Sequence, residues 1–391
     1  MFAVAWGGNE FTPLLGLYRR VLGLDELAVT ALLSAYVLGI VPSLFLAGPL
    51  LRRFGAKRTV YPVPALSLLG SVLIIAGTWT TPLLFAGRVI IGLALGIGMV
   101  AGGVWLTELS AFDRDATARP GRGARRAAMS LTAGFGLGAG LVGVAAQWSP
   151  LPTILPYVPH IVIAGVAQLM LGRIANAPAR APRLIPPAVP SRQARATYLR
   201  VLPVAPWIFG SLGLAYAILP QIVMGKVGTL ITAYSALLCL TSLGTGFLTQ
   251  RLLGRFTNPA SFPAAVSGFG LFAASTIAAG LLMESLSPWV VLGLAVVLGC
   301  SYGLMIAGCL QDVERTAPPA LLARMISTVY ALAYIGFGLP TLVAWVNSTT
   351  GTPHAVILLW TITMAAVAVL IGRLLARRRM ASPTLRGHVV Q

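Results

Sequence analysis

Charge is what this sequence has least of. Only 9% of its 391 residues are Asp, Glu, Lys or Arg, against about 25% in soluble globular proteins. That shortage, beside 57% hydrophobic residues, excludes both a soluble domain and a disordered chain. Cysteine is limited to Cys239, Cys300 and Cys309, all inside apolar runs, so neither a disulfide framework nor a thiolate metal site is expected. The histidines, His160, His354 and His388, are too scattered for a metal cluster. No Gly-Lys-Ser/Thr phosphate loop occurs, so ATP does not drive the protein by itself. Neither a Ser/His/Asp nor a Cys/His constellation stands out, and no enzyme activity, cofactor or metal is expected. Gly138-Ala-Gly140-Leu-Val-Gly143 fits a dinucleotide-binding pattern. It lies in an apolar helix with no strand before it, and reads as small-residue helix packing.

Acidic residues are scarcer than basic ones. Nine Asp and Glu face 28 Lys and Arg, a net charge of +19. Such a balance signals nucleic acid where a soluble basic face is available, and here the apolar runs leave none. It reads instead as the orientation signal of a membrane protein.

Long apolar runs make up the rest. They cover 2–18, 27–51, 59–79, 82–107, 127–148, 153–172, 204–222, 229–249, 260–283, 288–310, 325–346 and 353–372. Each is near the roughly 20 residues that cross a bilayer. Glycine (43) and proline (27) are frequent, as membrane helices tolerate. The expected fold is all-α, twelve transmembrane helices in two six-helix pseudo-repeat bundles, here called spans 1 to 12. With the N-terminus inside, 24 Lys and Arg fall on the cytoplasmic side and three (Arg19, Arg20, Lys226) outside, while Arg88 lies within a span. This asymmetry predicts that both termini are cytoplasmic, in a cell inner membrane. The first run lacks a basic leader and carries Glu10, so it is read as a span and not as a signal peptide. Residues 173–203 hold six arginines and repeated prolines. They are expected to be a cytoplasmic linker between an N-terminal bundle (1–172) and a C-terminal bundle (204–376), with 377–391 a cytoplasmic tail. Arg377–Arg379 and the linker could bind anionic headgroups at about 1 kcal/mol per basic residue, although orientation is their simpler role.

Two loops carry a trace of duplication. Span 2 is followed by Gly48-Pro-Leu-Leu-Arg52-Arg53-Phe-Gly55-Ala-Lys57-Arg58, and span 8 by Gly246-Phe-Leu-Thr-Gln-Arg251-Leu-Leu-Gly254-Arg255. The matched places suggest a parallel repeat. With the twelve-span pattern, these features resemble the major facilitator superfamily of secondary transporters. The loop at Gly48–Arg58 is similar to its motif A, a gate for conformational change. Arg52 stands where the family has an acid, so the resemblance implies another brace, with Glu108, Asp312 or Glu314 as candidates. Arg88-Val-Ile-Ile-Gly92-Leu-Ala-Leu-Gly96 resembles motif B, whose arginine is tied to proton transfer. Gly134, Gly136, Gly138, Gly140 and Gly143 resemble the glycine-rich motif C of proton-driven antiporters, without its Gly-Pro pair.

Glu10 is the only acid well inside a span. A charged carboxylate mid-bilayer costs about 2.5–3.5 kcal/mol on insertion scales. It must stay protonated, or face a wet cavity and pair with a cation; the bland alternative is a structural hydrogen bond. Glu10 and Arg88 lie roughly 12 and 9 Å from the outer ends of their spans at 1.5 Å per residue, so they are expected to pair in proton coupling unless Arg88 snorkels to the interface. Trp6, Glu10, Pro13 and Leu17 share one face by helical spacing, bordered by Asn9. Trp6, Asn9, Pro13, Tyr216, Tyr234, Tyr302, Tyr330 and Tyr334 are the candidate lining of a substrate cavity, against the alternative of ordinary helix packing.

The expected function is proton-coupled efflux of a small amphipathic compound by alternating access, by a monomer whose partners are that substrate, protons and lipids. Uptake symport or facilitated diffusion of a metabolite, a membrane-embedded enzyme or lipid-handling protein, and a non-transporting scaffold or sensor are the rivals.

Overall fold

The computed structural model describes residues 1–110, 122–174, 192–256 and 261–381. Arg114, Arg119, most of the linker and the end of the tail lie outside the described residues. Among the described residues, ten helices are long and apolar enough to cross a membrane. The 14-residue helix Val63–Ala76 supplies span 3. Span 1 is made of three pieces, Phe2–Asn9, the 3-10 turn Thr12–Leu14 and Leu15–Val21. The twelve expected spans are therefore all present.

Local chemistry explains the ends and breaks. Span 2, Glu26–Val60, starts at Asp25, whose carboxylate accepts the Ala28 N–H at 2.7 Å. It bends at Gly55, where φ is +78°, a conformation that costs a glycine little. Span 10, Pro288–Thr316, starts with a Ser287 cap and a proline, which gives up only an amide that a first turn leaves unbonded. Span 1 breaks at Glu10–Phe11 ahead of Pro13, span 7 has a π-turn at Leu214–Ile218 ahead of Pro220, and span 11 a 3-10 turn at Gly336–Gly338 ahead of Pro340. Interrupted helices survive in a bilayer only where protein or a cavity receives their free backbone groups.

Glycine sets the packing, and it does so twice. In the first half, spans 2 and 4 close on each other where a Cβ on Gly39 would run into the Val89 carbonyl, and one on Gly92 into that of Tyr36. In the second half, spans 8 and 10 meet in the same way through Gly299 against Ser242 and Gly303 against Gly246. Gly134 and Gly138 of span 5 lie on the backbone of span 1, and Gly336 of span 11 lies on that of span 7. The lipid tails offer no hydrophobic drive between helices, so close backbone approach supplies the attraction. We expect Gly92→Ala to destabilise the detergent-solubilised protein by about 1–3 kcal/mol. Gly103→Ala, whose Cβ meets nothing within 4 Å, is the neutral control in the same thermal melts.

The halves join at the end opposite the basic loops. There Arg19 donates to Gln221 at 3.2 Å, and Gln147 donates to the Thr229 carbonyl at 2.9 Å. Ser34 and Thr341 share a hydrogen bond of 2.5 Å, Thr341 donates to the Thr30 carbonyl at 2.7 Å, and His354 meets Glu26 at 3.0 Å. Gly140 and Gly143 of span 5 pack on Leu240 and Ala236 of span 8.

Two expectations need correction. Residues 192–201 of the anticipated linker form the helix Arg192–Val201. It lies on span 12, where Gly372 admits the Leu199 carbonyl, and Arg200 bonds Asp312 of span 10 at 3.0 Å. This piece belongs to the second bundle. Likewise the last helix continues to Ala381, past the point where a tail was anticipated.

Candidate functional site

A cavity of about 170 Å³ lies between the halves. Its deep wall comes from Asn9 and Thr12 beside the span 1 break, Tyr36 of span 2, Arg88 of span 4, and Phe209 and Tyr216 of span 7. All of these are buried. Towards the basic loops the wall continues through Ala128 and Thr132, which are exposed, and Gln250, Leu310 and Tyr330, which are partly so. Exposure thus rises along the cavity from the latched end to the basic end, the shape of a site open to one face only.

Of the expected lining, Asn9, Tyr216, Tyr302, Tyr330 and Tyr334 are on the wall. Trp6, Pro13 and Tyr234 are not. The span 1 break explains Pro13, because helical spacing does not carry across residues 10–14, whereas Trp6 lies on the face of Phe2–Asn9 that is turned to span 5. Trp6 packs edge-on to Phe2 and lies beneath Gly138, and Pro13 meets Gly143. Gly8, Asn9 and Thr12 take their place. Tyr234 donates to the Pro288 carbonyl at 2.6 Å within the second half. Phe337, which continues the helical spacing of Tyr330 and Tyr334 on span 11, also lines the wall, while sequence reasoning missed Tyr36, Phe135 and Phe209 as further rings of it.

Glu10 is fully buried and stands behind the cavity, not in it. Its partner is not Arg88, which corrects the expected pair. Ser71 Oγ donates to Glu10 Oε1 at 2.5 Å, and His160 Nδ1 lies 3.3 Å from the same oxygen. His160 Nδ1 also lies 2.7 Å from Ser71 Oγ, and Nε2 lies 3.2 Å from Ser67 Oγ. Ser71 has one hydroxyl proton. If Glu10 holds it, Nδ1 must donate to Ser71, and a neutral His160 then accepts from Ser67 at Nε2. The four groups form one directed chain, Ser67 to His160 to Ser71 to Glu10. It is not a hydrolytic triad, since the serine sits between acid and imidazole and none of them meets solvent.

His160 was set aside in the sequence as one of three scattered histidines. A readable signal existed, since Ser67 and Ser71 stand four apart on an apolar span and therefore face one way. Gly7 makes room for the ring: a Cβ there would stand 2.6 and 2.7 Å from His160 and 2.8 Å from Ser67 Oγ. Gly7→Ala is therefore expected to push the imidazole off Ser71 and lower the melting temperature, whereas alanine at Gly136, with nothing within 4 Å, is neutral.

Arg88 does not snorkel. Its guanidinium carbon lies 4.8 Å from the Phe11 ring and 4.7 Å from that of Tyr36, and Nε donates to the Leu32 carbonyl at 3.2 Å. Desolvated cation–ring contacts are worth about 2 kcal/mol each, comparable with the roughly 2.5–3.5 kcal/mol that a buried charge costs in a span.

The motif A-like loop lies at the open end. Gly48 and Gly55 bracket exposed Arg52 and Arg53, Arg58 is exposed, and Lys57 donates to the Ile174 carbonyl at the end of span 6. Glu108 is exposed at the end of span 4. Asp312, one candidate brace, is engaged by Arg200 instead.

The family model for the Major Facilitator Superfamily matches residues 1–339. None of the curated protein sequences compared matches the chain. Among solved structures, the nucleoside transporter NupG is 13% identical with a TM-score of 0.66, covering 98% of this chain and 97% of that one. A mutant of NupG is 14% identical with a TM-score of 0.64, covering 97% of this chain and 98% of that one. A D-xylose-proton symporter is 13% identical with a TM-score of 0.64, covering 100% of this chain and 97% of that one. At these identities the likeness is one of fold, and it spans both bundles. With a family match over most of its length and two repeated six-helix halves around a one-sided cavity, the chain belongs to the major facilitator superfamily.

Proposed function

We propose that the chain is a proton-coupled secondary transporter that moves a small amphipathic compound across the cell's inner membrane by alternating access, with both termini cytoplasmic. The observation that carries this reading is the buried chain of Glu10, Ser71 and His160 directly behind the cavity wall. Asn9 and Thr12 flank Glu10 and line the cavity, so a charge change at Glu10 is one residue from the site. A proton arriving there neutralises a carboxylate beside the break in span 1 and alters the balance against Arg88. That biases the equilibrium between two arrangements of the halves, as any ligand with differential affinity must. The present arrangement, latched opposite the basic loops, is the inward-open one under this orientation.

Efflux by antiport is the direction that the glycines of span 5 suggested. Four of those glycines are engaged in packing, Gly134 and Gly138 on span 1 and Gly140 and Gly143 on span 8, which weakens that support. Uptake by symport is the second reading, favoured by the fold likeness to a D-xylose-proton symporter.

The test uses proteoliposomes with a trapped pH dye and a panel of aromatic amphiphiles. A transported compound is expected to move protons with it when no pH gradient is imposed. Counterflow of a compound without proton movement would reduce the reading to facilitated diffusion. Imposing gradients of both polarities separates export from uptake.

A further inference from the structure

We infer that the cavity takes a flat, ring-bearing compound carrying one anionic group, held by the Nη1 of Arg88. This rests on reading the cavity as the transport site and specifies its substrate class. Arg88 is fully buried yet belongs to the cavity wall. Its Nε is satisfied by the Leu32 carbonyl, and the rings of Phe11 and Tyr36 stack against its guanidinium. Nη1, however, is buried with no hydrogen-bond partner. A buried charged donor left unpaired is costly, and native proteins rarely keep one without a purpose.

None of the described residues supplies the missing acceptor. Among the described residues, Arg88 is the one formally charged member of the lining. Glu10, the nearest acid in sequence logic, gives its Oε1 to Ser71 and His160, and its Oε2, buried, bonds neither Arg88 nor any other described residue. A ligand can complete the site. A guanidinium donates to planar anions such as carboxylates with short, charge-assisted hydrogen bonds. A cationic ligand would meet an unscreened like charge in a low-dielectric space. The site therefore disfavours the cationic amphiphiles that the sequence alone left open.

The rest of the wall defines the ligand's other part. Phe209 lies 4.5 Å from Tyr334 and stacks on Phe337 at 5.0 Å and on Tyr302 at 5.7 Å. Tyr36 meets Tyr334 edge-on at 5.9 Å. This continuous aromatic surface, with Arg88 against Tyr36, matches a planar ring with an acid at one end.

The test is binding to the purified full-length protein, independent of transport. Benzoate, 3-phenylpropanoate and 2-naphthoate are each compared by thermal shift with their amide and primary ammonium counterparts. At least one carboxylate is expected to raise the melting temperature while neither counterpart does so at the same concentration. Arg88→Gln is expected to weaken that binding by at least about tenfold, and Arg88→Lys to restore part of it. If Arg88→Gln folds poorly, the wild-type comparison of carboxylate with amide decides alone. Equal stabilisation by an amide or ammonium, unchanged affinity in Arg88→Gln, or silence of all three carboxylates overturns the inference. Silence here with proton movement in the vesicle assay removes the anion class and keeps the transporter. Carboxylate binding without proton movement does the reverse.

Discussion

Proteoliposomes carrying Glu10→Gln are expected to lose proton-driven accumulation altogether while still exchanging compound by counterflow. The substitution keeps the shape of the side chain. Its amide oxygen can still accept from Ser71, which now donates to Glu10 Oε1 at 2.5 Å, and its amide nitrogen replaces Oε2, which is buried without a partner. What disappears is the titration. A gradient of one pH unit stores about 1.4 kcal/mol per proton, equivalent to about tenfold accumulation for one-proton coupling. The variant's accumulation ratio should fall to one at every gradient. Counterflow reports binding and alternation without the gradient, so it separates lost coupling from lost folding. Uphill accumulation by Glu10→Gln at the wild-type ratio would remove Glu10, and the hydrogen-bonded chain that ends on it, from the mechanism.

A disulfide between the halves should stop transport just as completely, by a different route. Ser34 of span 2 and Thr341 of span 11 share a hydrogen bond of 2.5 Å between their hydroxyl oxygens at the latched end, so the two side chains face each other across the halves. The double variant Ser34→Cys, Thr341→Cys is expected to cross-link under mild oxidation and hold that end shut. Counterflow and proton movement should both fall to background and return on reduction. Ligands entering from the open end should still shift the melting temperature. Of the native thiols Cys239 and Cys309 are buried, and Cys300→Ser in the same background removes the third, which is partly exposed. Full transport with the cross-link demonstrably formed would show that this end does not need to open, which is incompatible with alternating access between rocking halves.

The fold was legible in the sequence because a bilayer imposes it. With no water to satisfy backbone groups, each apolar run must become a helix of nearly fixed length, so twelve runs and a lopsided arginine distribution suffice to count them. Breaks at Pro13, Pro220 and Pro340 could likewise be anticipated from the missing amide. The site was legible only in part. Glu10 and Arg88 stood out because charge inside a span is rare, and the candidate tyrosines Tyr216, Tyr302, Tyr330 and Tyr334 pointed to an inner wall.

Composition and chain order thus determined the membrane, the helix count, the two halves and the two intramembrane charges. Tertiary structure alone decided which groups those charges meet. Glu10 turned to Ser71 and His160 on spans 3 and 6, while Arg88 of span 4 met Phe11, just past the break in span 1, Tyr36 of span 2 and the cavity. Partners on spans 3 and 6 are chosen by how helices cross, and crossing is set by where glycine lets two backbones touch. Such contacts join residues far apart in the chain, and no local periodicity encodes them.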